Sequence, residues 1–331
     1  MSRLPEVVQA LLNPDIYPDK AGNVELTQTQ MSFIFFAGDY VYKIKKPVNL
    51  GYLDYTTLEK RHDFCVKEVE LNRRLCPGAY LGVIPVAREP GGHISLMGRG
   101  EIIEYAVKMR KLPQELMLDA LLKKNGVSPE MLTRVANRLV AFHRSADTVT
   151  TGGGLDTVIQ NTEENFSQSE KYIPRVMSSE TFRRITSYSR DFVKRNAGLF
   201  HRRIAEGRIR DCHGDLHAAH VCITDDICIY DCIEFNDRFR YCDVASEIAF
   251  LAMDLDHYDR SDLSGTFIDA YVKMSGDKEI KQMLNYYKCY RAYVRGKVNC
   301  FKLDDHLVTE KDKEQAQETA RSYFRLAQSY V

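Results

Sequence analysis

Cys212-His213-Gly214-Asp215-Leu216-His217-Ala218-Ala219-His220, followed after a short gap by Ile229-Tyr230-Asp231-Cys232-Ile233-Glu234, is the stretch on which the reading of this chain turns. It sets an aspartate in a glycine-containing loop, a histidine five residues beyond it, and a second aspartate past two short apolar runs that read as a strand pair. A His-Gly-Asp triplet alone is a weak signal, so its weight depends on what else the chain supplies and in what order.

Phosphoryl transfer on a kinase-type scaffold needs one aspartate to accept the attacking hydroxyl's proton. It needs a metal ligand five positions later, and a further aspartate beyond a hairpin to hold metal against the phosphates. Asp215, His220 and Asp231 stand in those three slots. The same chemistry needs a lysine on an N-terminal strand to grip the phosphates and a glutamate on the next helix to orient it. Lys43 in YVYKIK (40–45) is the first choice for that lysine and Lys45 the second, because Val41, Lys43 and Lys45 share one strand face. Thr56 with Glu59 reads as a capping box opening a helix through Leu75. On that helix Phe64, Leu71 and Leu75 form a stripe, and Glu68 falls within about 40° of its centre. Glu70 points the other way, among Lys67, Arg73 and Arg74. Glu68 is therefore expected to meet Lys43, with only one of the two lysines reaching it.

Working outward, a short helix near Glu6–Asn13 precedes a hairpin made of QMSFIFF, an Ala-Gly-Asp turn and YVYKIK. GVIPVARE, HISLMG and EIIEYAVKM complete an N-terminal sheet of about five strands. From Leu112 the spacing becomes helical, broken by short strand-like pieces near RIRD, HVCIT and ICIYD. The expected class is α+β and bilobal: an antiparallel sheet lobe with one long helix over residues 1–110, and a mainly helical lobe over 111–331. Met109 begins the connector and is grouped with the cofactor-binding candidates, while Gly152-Gly153-Gly154 reads as a flexible internal loop.

Composition narrows the classes. Lysine plus arginine and aspartate plus glutamate both total 46, which argues against a nucleic-acid binder with a basic face. The N-terminus lacks the apolar core of a signal peptide, and IAFLAM is too short to cross a bilayer, so a cytoplasmic protein without a membrane segment is expected. Nine cysteines without a regular framework fit reduced thiols better than disulfides. Cys212, Cys222, Cys228, Cys232 and Cys242 share a stretch with three histidines, but no Cys-x-x-Cys pair occurs and cysteine is often buried merely by packing, so packing rather than zinc is the reading.

Together with LNRRL, AVKMRKLP and DCIEFNDRFRYCDVASEIAFLAMDLD, these motifs resemble the aminoglycoside phosphotransferase and choline-kinase-like superfamily. More narrowly they resemble an uncharacterised bacterial group of stand-alone phosphotransferase-like proteins, some fused to a P-loop kinase domain; no Walker A string occurs in this chain. The resemblance implies a protein-kinase-like fold, ATP in the cleft, Asp215 as base, Asp231 as metal ligand, Lys43 on the phosphates, and a small-molecule hydroxyl as acceptor.

Two departures stand out. The superfamily has asparagine where this chain has His220, and magnesium prefers oxygen ligands, so manganese becomes an alternative and lost or rerouted transfer a second reading. No G-x-G-x-x-G precedes Lys43; TQTQMS, with Ser32, fills that place, although a polar strand entry reads the same way. Asp243 reads as a helix N-cap. His213 and His217 read as loop-ordering or core-edge residues, and His143 as a helix residue without a partner; His143 and His217 are left out of the site. Asp254, Asp256, Asp259 and Asp262 fit either an acidic pocket for a cationic substrate or a solvated loop, and the Tyr286, Tyr287, Tyr290, Tyr293 stripe reads as core.

Overall fold

In the computed structural model six antiparallel strands arise from the alternating segments: β1 (Val24–Gln28), β2 (Ser32–Ala37), β3 (Tyr40–Lys45), β4 (Tyr80–Arg88), β5 (Ile94–Leu96) and β6 (Glu101–Arg110). They lie side by side in the order β1-β2-β3-β6-β4-β5. The sheet has one strand more than expected because Val24–Gln28 pairs with β2 in its own right, Leu26 opposite Phe35. The structure describes residues 4–19, 21–305 and 308–331, and they fall into two compact units. The first runs to Leu116 and takes back Thr224–Asn236; the second is Met117–Ile223 with Asp237–Val331. The second unit is thus not the continuous stretch from residue 111 that the sequence suggested.

Period-two alternation decides the two faces of the sheet. Phe33, Phe35, Tyr42 and Ile44 point to one side and bury Val8 and Leu11 of helix α1 (Glu6–Leu11). Tyr17 closes that core, its ring 4.9 Å from that of Tyr42 and its hydroxyl donating to the Leu11 carbonyl. On β3 the intervening residues, Lys43 and Lys45, face the other way, toward helix α2 (Leu58–Arg73). The N-cap of α2 is Thr57, whose hydroxyl accepts from Lys60 N at 3.2 Å. Thr56 instead donates its hydroxyl to Asp54, so the cap lies one residue later than the capping box placed it. The buried stripe of α2 is Arg61, Cys65, Glu68, Val69 and Asn72, more polar than the expected Phe64–Leu71 stripe.

Cys76 and Cys228 form a disulfide within the first unit, against the expectation of reduced thiols throughout. The other seven cysteines are not disulfide-bonded. Spacing could not reveal the pair because 152 residues separate its members.

The second unit comprises α3 (Leu118–Lys123), α4 (Pro129–Ser145), α5 (Leu155–Ser169), α6 (Ile173–Val176), α7 (Ser179–Arg195), α8 (Ala197–Ala205), α9 (Asp237–Arg240), α10 (Val244–His257), α11 (Ser261–Ser275), α12 (Ile280–Phe301) and α13 (Glu310–Ser329). A short antiparallel pair joins Ile209–Asp211 to Tyr241–Asp243. α10 is central, buried all round from Val244 to Leu255, and packs on α11 and α12. Its apolar residues run round most of the helix, which places it in the interior, and its buried carboxylates Glu247 and Asp254 are hydrogen-bonded. Tyr286, Tyr287 and Tyr293 are buried core, as their spacing indicated. Gly153 does not sit in a loose loop: at φ +68° it lies so close to Ile209 and Tyr241 that a Cβ would meet them at 2.6–2.7 Å.

Asp243 caps α10, accepting from Ala245 N at 2.8 Å, and also grips the wholly buried guanidinium of Arg203, which Asp277 holds from a second side. Burial of such a cation is tolerable only because its donors are matched by two carboxylates. The acidic run does not form one pocket. Asp254 is buried against Tyr323, Asp256 pairs with Lys288 at 2.8 Å, and Asp262 pairs with Arg260 at 2.8 Å.

Candidate active site

In the first unit, β3 and α2 put opposite charges face to face. Lys43 Nζ lies 2.9 Å from Glu68 Oε1 and 2.9 Å from Asp231 Oδ1. Lys45 Nζ lies 2.7 Å from the other oxygen of Glu68 and is also paired with Glu234. Glu68 therefore meets both lysines, and the expectation that it would meet only one is corrected. Residues 43 and 45 share a face, and a carboxylate has two oxygens about 2.2 Å apart, so one glutamate spans both. Tyr55 donates to Glu234 at 2.7 Å and completes the cluster.

Burial alone would favour the neutral amine of Lys43, but the charges of Asp231, Glu68 and Glu234 outweigh it and hold the ammonium well above the usual lysine range. Burial likewise opposes the charge on Glu68, and Lys43 and Lys45 reverse that, lowering its pKa. The set is internally compensated, with the Asp231 side chain its most open member at 43% exposed.

Asp231 is held in a left-handed backbone conformation, φ +62°. Aspartate tolerates this region better than most residues, yet it needs support from its surroundings. Its N–H faces the Tyr80 hydroxyl at 3.3 Å, and the next N–H, of Cys232, donates to Asn72 Oδ1 at 2.9 Å. Asn72 also donates to the Glu68 carbonyl one turn earlier on α2, at 2.8 Å. Sequence reasoning missed Asn72 and Tyr80; a polar residue at i+4 from Glu68 was the available signal. Ser32 is the buried first residue of β2, opposite Lys45, with its N–H donated to Thr29 Oγ1 at 3.0 Å. Met109 sits on β6 opposite Val41 of β3 and Tyr80 of β4.

In the second unit Asp215 and His220 come together, joined by His217. The Asp215 carboxylate Oδ2 lies 3.6 Å from His217 Nε2 and 3.6 Å from His220 Nδ1, and the two imidazole centroids are 3.9 Å apart. One donor atom from each of the three residues falls within 4.8 Å of the others, a grouping able to hold a metal ion. His220 Nδ1 also lies 2.9 Å from the Asp215 main-chain oxygen. Burial opposes charge on Asp215, but His217, His220 and the more distant Arg295 outweigh it and hold the carboxyl well below the usual range. Burial, with His220 and Arg295 beside it, pushes His217 down to about 4, so its imidazole is neutral at pH 7. His217, which reads in the sequence as a loop-ordering or core-edge residue, stands beside Asp215 because the i+2 position on an irregular loop turns back onto the aspartate.

α10 fixes this loop. Glu247, fully buried, accepts from His213 N at 2.7 Å and Gly214 N at 2.8 Å, while Asp254, two turns on, accepts from Ala218 N at 2.8 Å. Positions seven apart lie on one helix face, so both carboxylates address the same loop. His213 Nδ1 lies 3.3 Å from Asp215 N, and Arg291 donates to the Gly214 carbonyl at 3.1 Å. His143, expected to lack a partner, lies 3.2 Å from Glu247 and 2.7 Å from the Tyr271 hydroxyl. The signal for Glu247 was a charge inside the apolar VASEIAFLAM run.

No family model matches the sequence. Uncharacterised proteins of Mycobacterium tuberculosis and Mycobacterium bovis are 34% identical over 281 residues, 84% of this chain, and the chain spans about half, 55%, of their length. Among solved structures, the amicoumacin kinase hAmiN, in complex with AMP-PNP, Ca2+ and Ami, matches 96% of this chain and 92% of its own at 10% identity and a TM-score of 0.56. A choline/ethanolamine kinase family protein from Mesorhizobium loti matches 98% of both chains at 13% identity and a TM-score of 0.51. The aminoglycoside phosphotransferase APH(2'')-Ib, bound to ADP, matches 97% of this chain and 99% of its own at 15% identity and a TM-score of 0.52. Among the described residues no helix is long and apolar enough to cross a membrane. The chain is thus similar in sequence to uncharacterised mycobacterial proteins and has the protein-kinase-like, α+β fold of the choline/ethanolamine kinase and aminoglycoside phosphotransferase structures.

Proposed function

We propose that this protein is an ATP-dependent phosphotransferase acting on the hydroxyl of a small molecule. The observation that carries the reading is the charge chain Glu68–Lys43–Asp231, in which each link is 2.9 Å and only Asp231 is substantially open. Structural neighbours that are kinases of small molecules support the class, and one of them is bound to a nucleotide analogue and a divalent cation.

In this reading Lys43, oriented by Glu68, binds the phosphates, and Ser32 and Met109 belong to the nucleotide-binding unit. Lys45, itself paired with Glu234, holds the other oxygen of Glu68. Asp215 accepts the acceptor hydroxyl's proton: its carboxylate is ionised at neutral pH, and its main chain is fixed through the loop that Glu247 and Asp254 tether. The donor chemistry fits a divalent cation at Asp231, an oxygen ligand 43% exposed, whereas His220 offers nitrogen, which suits manganese better than magnesium. Such a cation, when bound, would neutralise charge on the phosphates.

A second reading, nucleotide binding without transfer, is favoured by one observation: His220 turns Nδ1 to the Asp215 carbonyl at 2.9 Å. Titration calorimetry with ATP, magnesium or manganese, followed by a screen of hydroxylated metabolites with Asp215→Asn as control, separates the two. Turnover lost in Asp215→Asn supports transfer. ATP binding without turnover of any acceptor supports the second reading, and no ATP binding refutes both.

A further inference from the structure

We propose that Cys76 and Cys228 form a reversible thiol–disulfide site that clamps the turn carrying Asp231 to the C-terminal end of α2. Their Cα atoms are 4.6 Å apart, within the range a disulfide bridges, and 152 residues of chain separate them. Each half of the pair lies close in sequence to a member of the charge cluster. Cys76 stands three residues past the end of α2, its N–H donated to the Asn72 carbonyl at 2.8 Å. Cys228 stands three residues before Asp231. Asn72 holds the same two segments by hydrogen bonds, to Cys76 through its main chain and to Cys232 through its side chain at 2.9 Å. The covalent link and the asparagine are two fastenings across one seam.

The seam matters because Asp231 sits at φ +62°, a conformation that persists in a non-glycine residue only where the surroundings over-determine it. Opening the disulfide removes one determinant. The turn is then held by non-covalent contacts, among them those to Asn72, Tyr80 and Lys43 at 2.9–3.3 Å and that of Arg74 to Cys232 Sγ at 3.4 Å. Burial pushes Cys65, Cys289 and Cys300 up to about 12, leaving them protonated and unreactive at neutral pH.

The chemistry balances with a low-molecular-weight disulfide as oxidant. Two cysteine thiols give up two protons and two electrons to form the S–S bond, and the small disulfide takes them up as two thiols; a dithiol reverses the exchange. Both sulfurs are buried, with residue exposures of 3% and 7%, so exchange requires the turn to open.

The test uses the full chain equilibrated with glutathione disulfide or with dithiothreitol. Denatured and alkylated, the oxidised form should show seven free thiols with Cys76 linked to Cys228, and the reduced form nine. Hydrogen exchange at the amides of Asp231 and Cys232 should be faster in the reduced form by about fivefold or more, the lower end of a typical coupling. Cys76→Ser and Cys228→Ser should exchange like the reduced form under both conditions, so either variant serves if the other fails to fold. Nine thiols after oxidation, or equal exchange in the two forms, overturns the proposal. The functional arm alone rests on the phosphotransferase reading: reduction should weaken ATP affinity by about fivefold or more. A difference in exchange with no ATP binding by either form upholds the clamp and retires that reading.

Discussion

Replacing Glu247 by glutamine leaves the size of the side chain nearly unchanged and removes its charge. The carboxylate accepts from His213 N and Gly214 N, one on each oxygen, and lies 3.2 Å from His143 Nε2. An amide can satisfy only one of the two N–H donors and must turn its own NH2 toward the other. Although burial raises its pKa, the contacts with His143 and His213 lower Glu247 from 4.5 to about 2. At ~1.4 kcal/mol per pKa unit, that difference corresponds to roughly 3 kcal/mol favouring the charged form in the fold. Because the folded pKa is depressed, this stability is fully present above the unfolded value near 4.5 and is lost as pH falls through about 2. Urea unfolding at pH 7 should therefore show Glu247→Gln less stable by about 3 kcal/mol, with the slope against urea unchanged. Between pH 4.5 and 2.5 the parent should lose stability faster than the variant, and the gap should narrow. Equal midpoints at pH 7, or parallel acid dependence, would refute the assignment of the loop's anchoring to this carboxylate.

Asp215→Asn should keep ATP affinity within a few-fold and lower transfer by at least about a hundredfold, measured as initial rates, since a positioned base contributes 10²–10⁴. Lys43→Met and Lys45→Met should separate by assay. The first leaves Glu68 paired with Lys45 and should chiefly weaken nucleotide binding, whereas the second strips Glu68 and Glu234 of a buried partner and should cost about 3–5 kcal/mol in denaturant unfolding. A larger stability loss for Lys43→Met would reverse the assignment. His220→Asn should shift metal preference from manganese toward magnesium in rates at saturating ATP; identical rates and preference would place His220 outside any metal shell.

The sheet was legible because alternation is local: YVYKIK shows at a glance that residues 43 and 45 leave the face that Tyr42 and Ile44 bury. Glu68 was legible as an acidic residue on an inward helix stripe, which is costly without a partner. What sequence could not show is how many partners such a charge collects. Lys45 joins Glu68 to Glu234, and Tyr55 joins Glu234 in turn, across separations of up to 189 residues, and no periodicity encodes that convergence. The same limit hid the Cys76–Cys228 bond and the neighbours of His143. The acidic run shows the opposite limit: aspartates near one another in sequence part company in the fold, and Asp254, Asp256 and Asp262 each take a different partner.

Residues 224–236 complete the first unit although they are made about a hundred residues after Leu116. On a ribosome adding about 5–20 residues per second, that interval lasts roughly 5 to 20 seconds. For that time the nascent sheet and α2 carry Lys43 and Lys45 against a single carboxylate, Glu68, with neither Asp231 nor Glu234 yet synthesised. The charge balance of the early segment is thus finished only by a piece of chain that emerges inside the helical sequence. Folding of the first unit waits on translation of the second, and a fragment ending at Leu116 should emerge as a chaperone client rather than a folded domain.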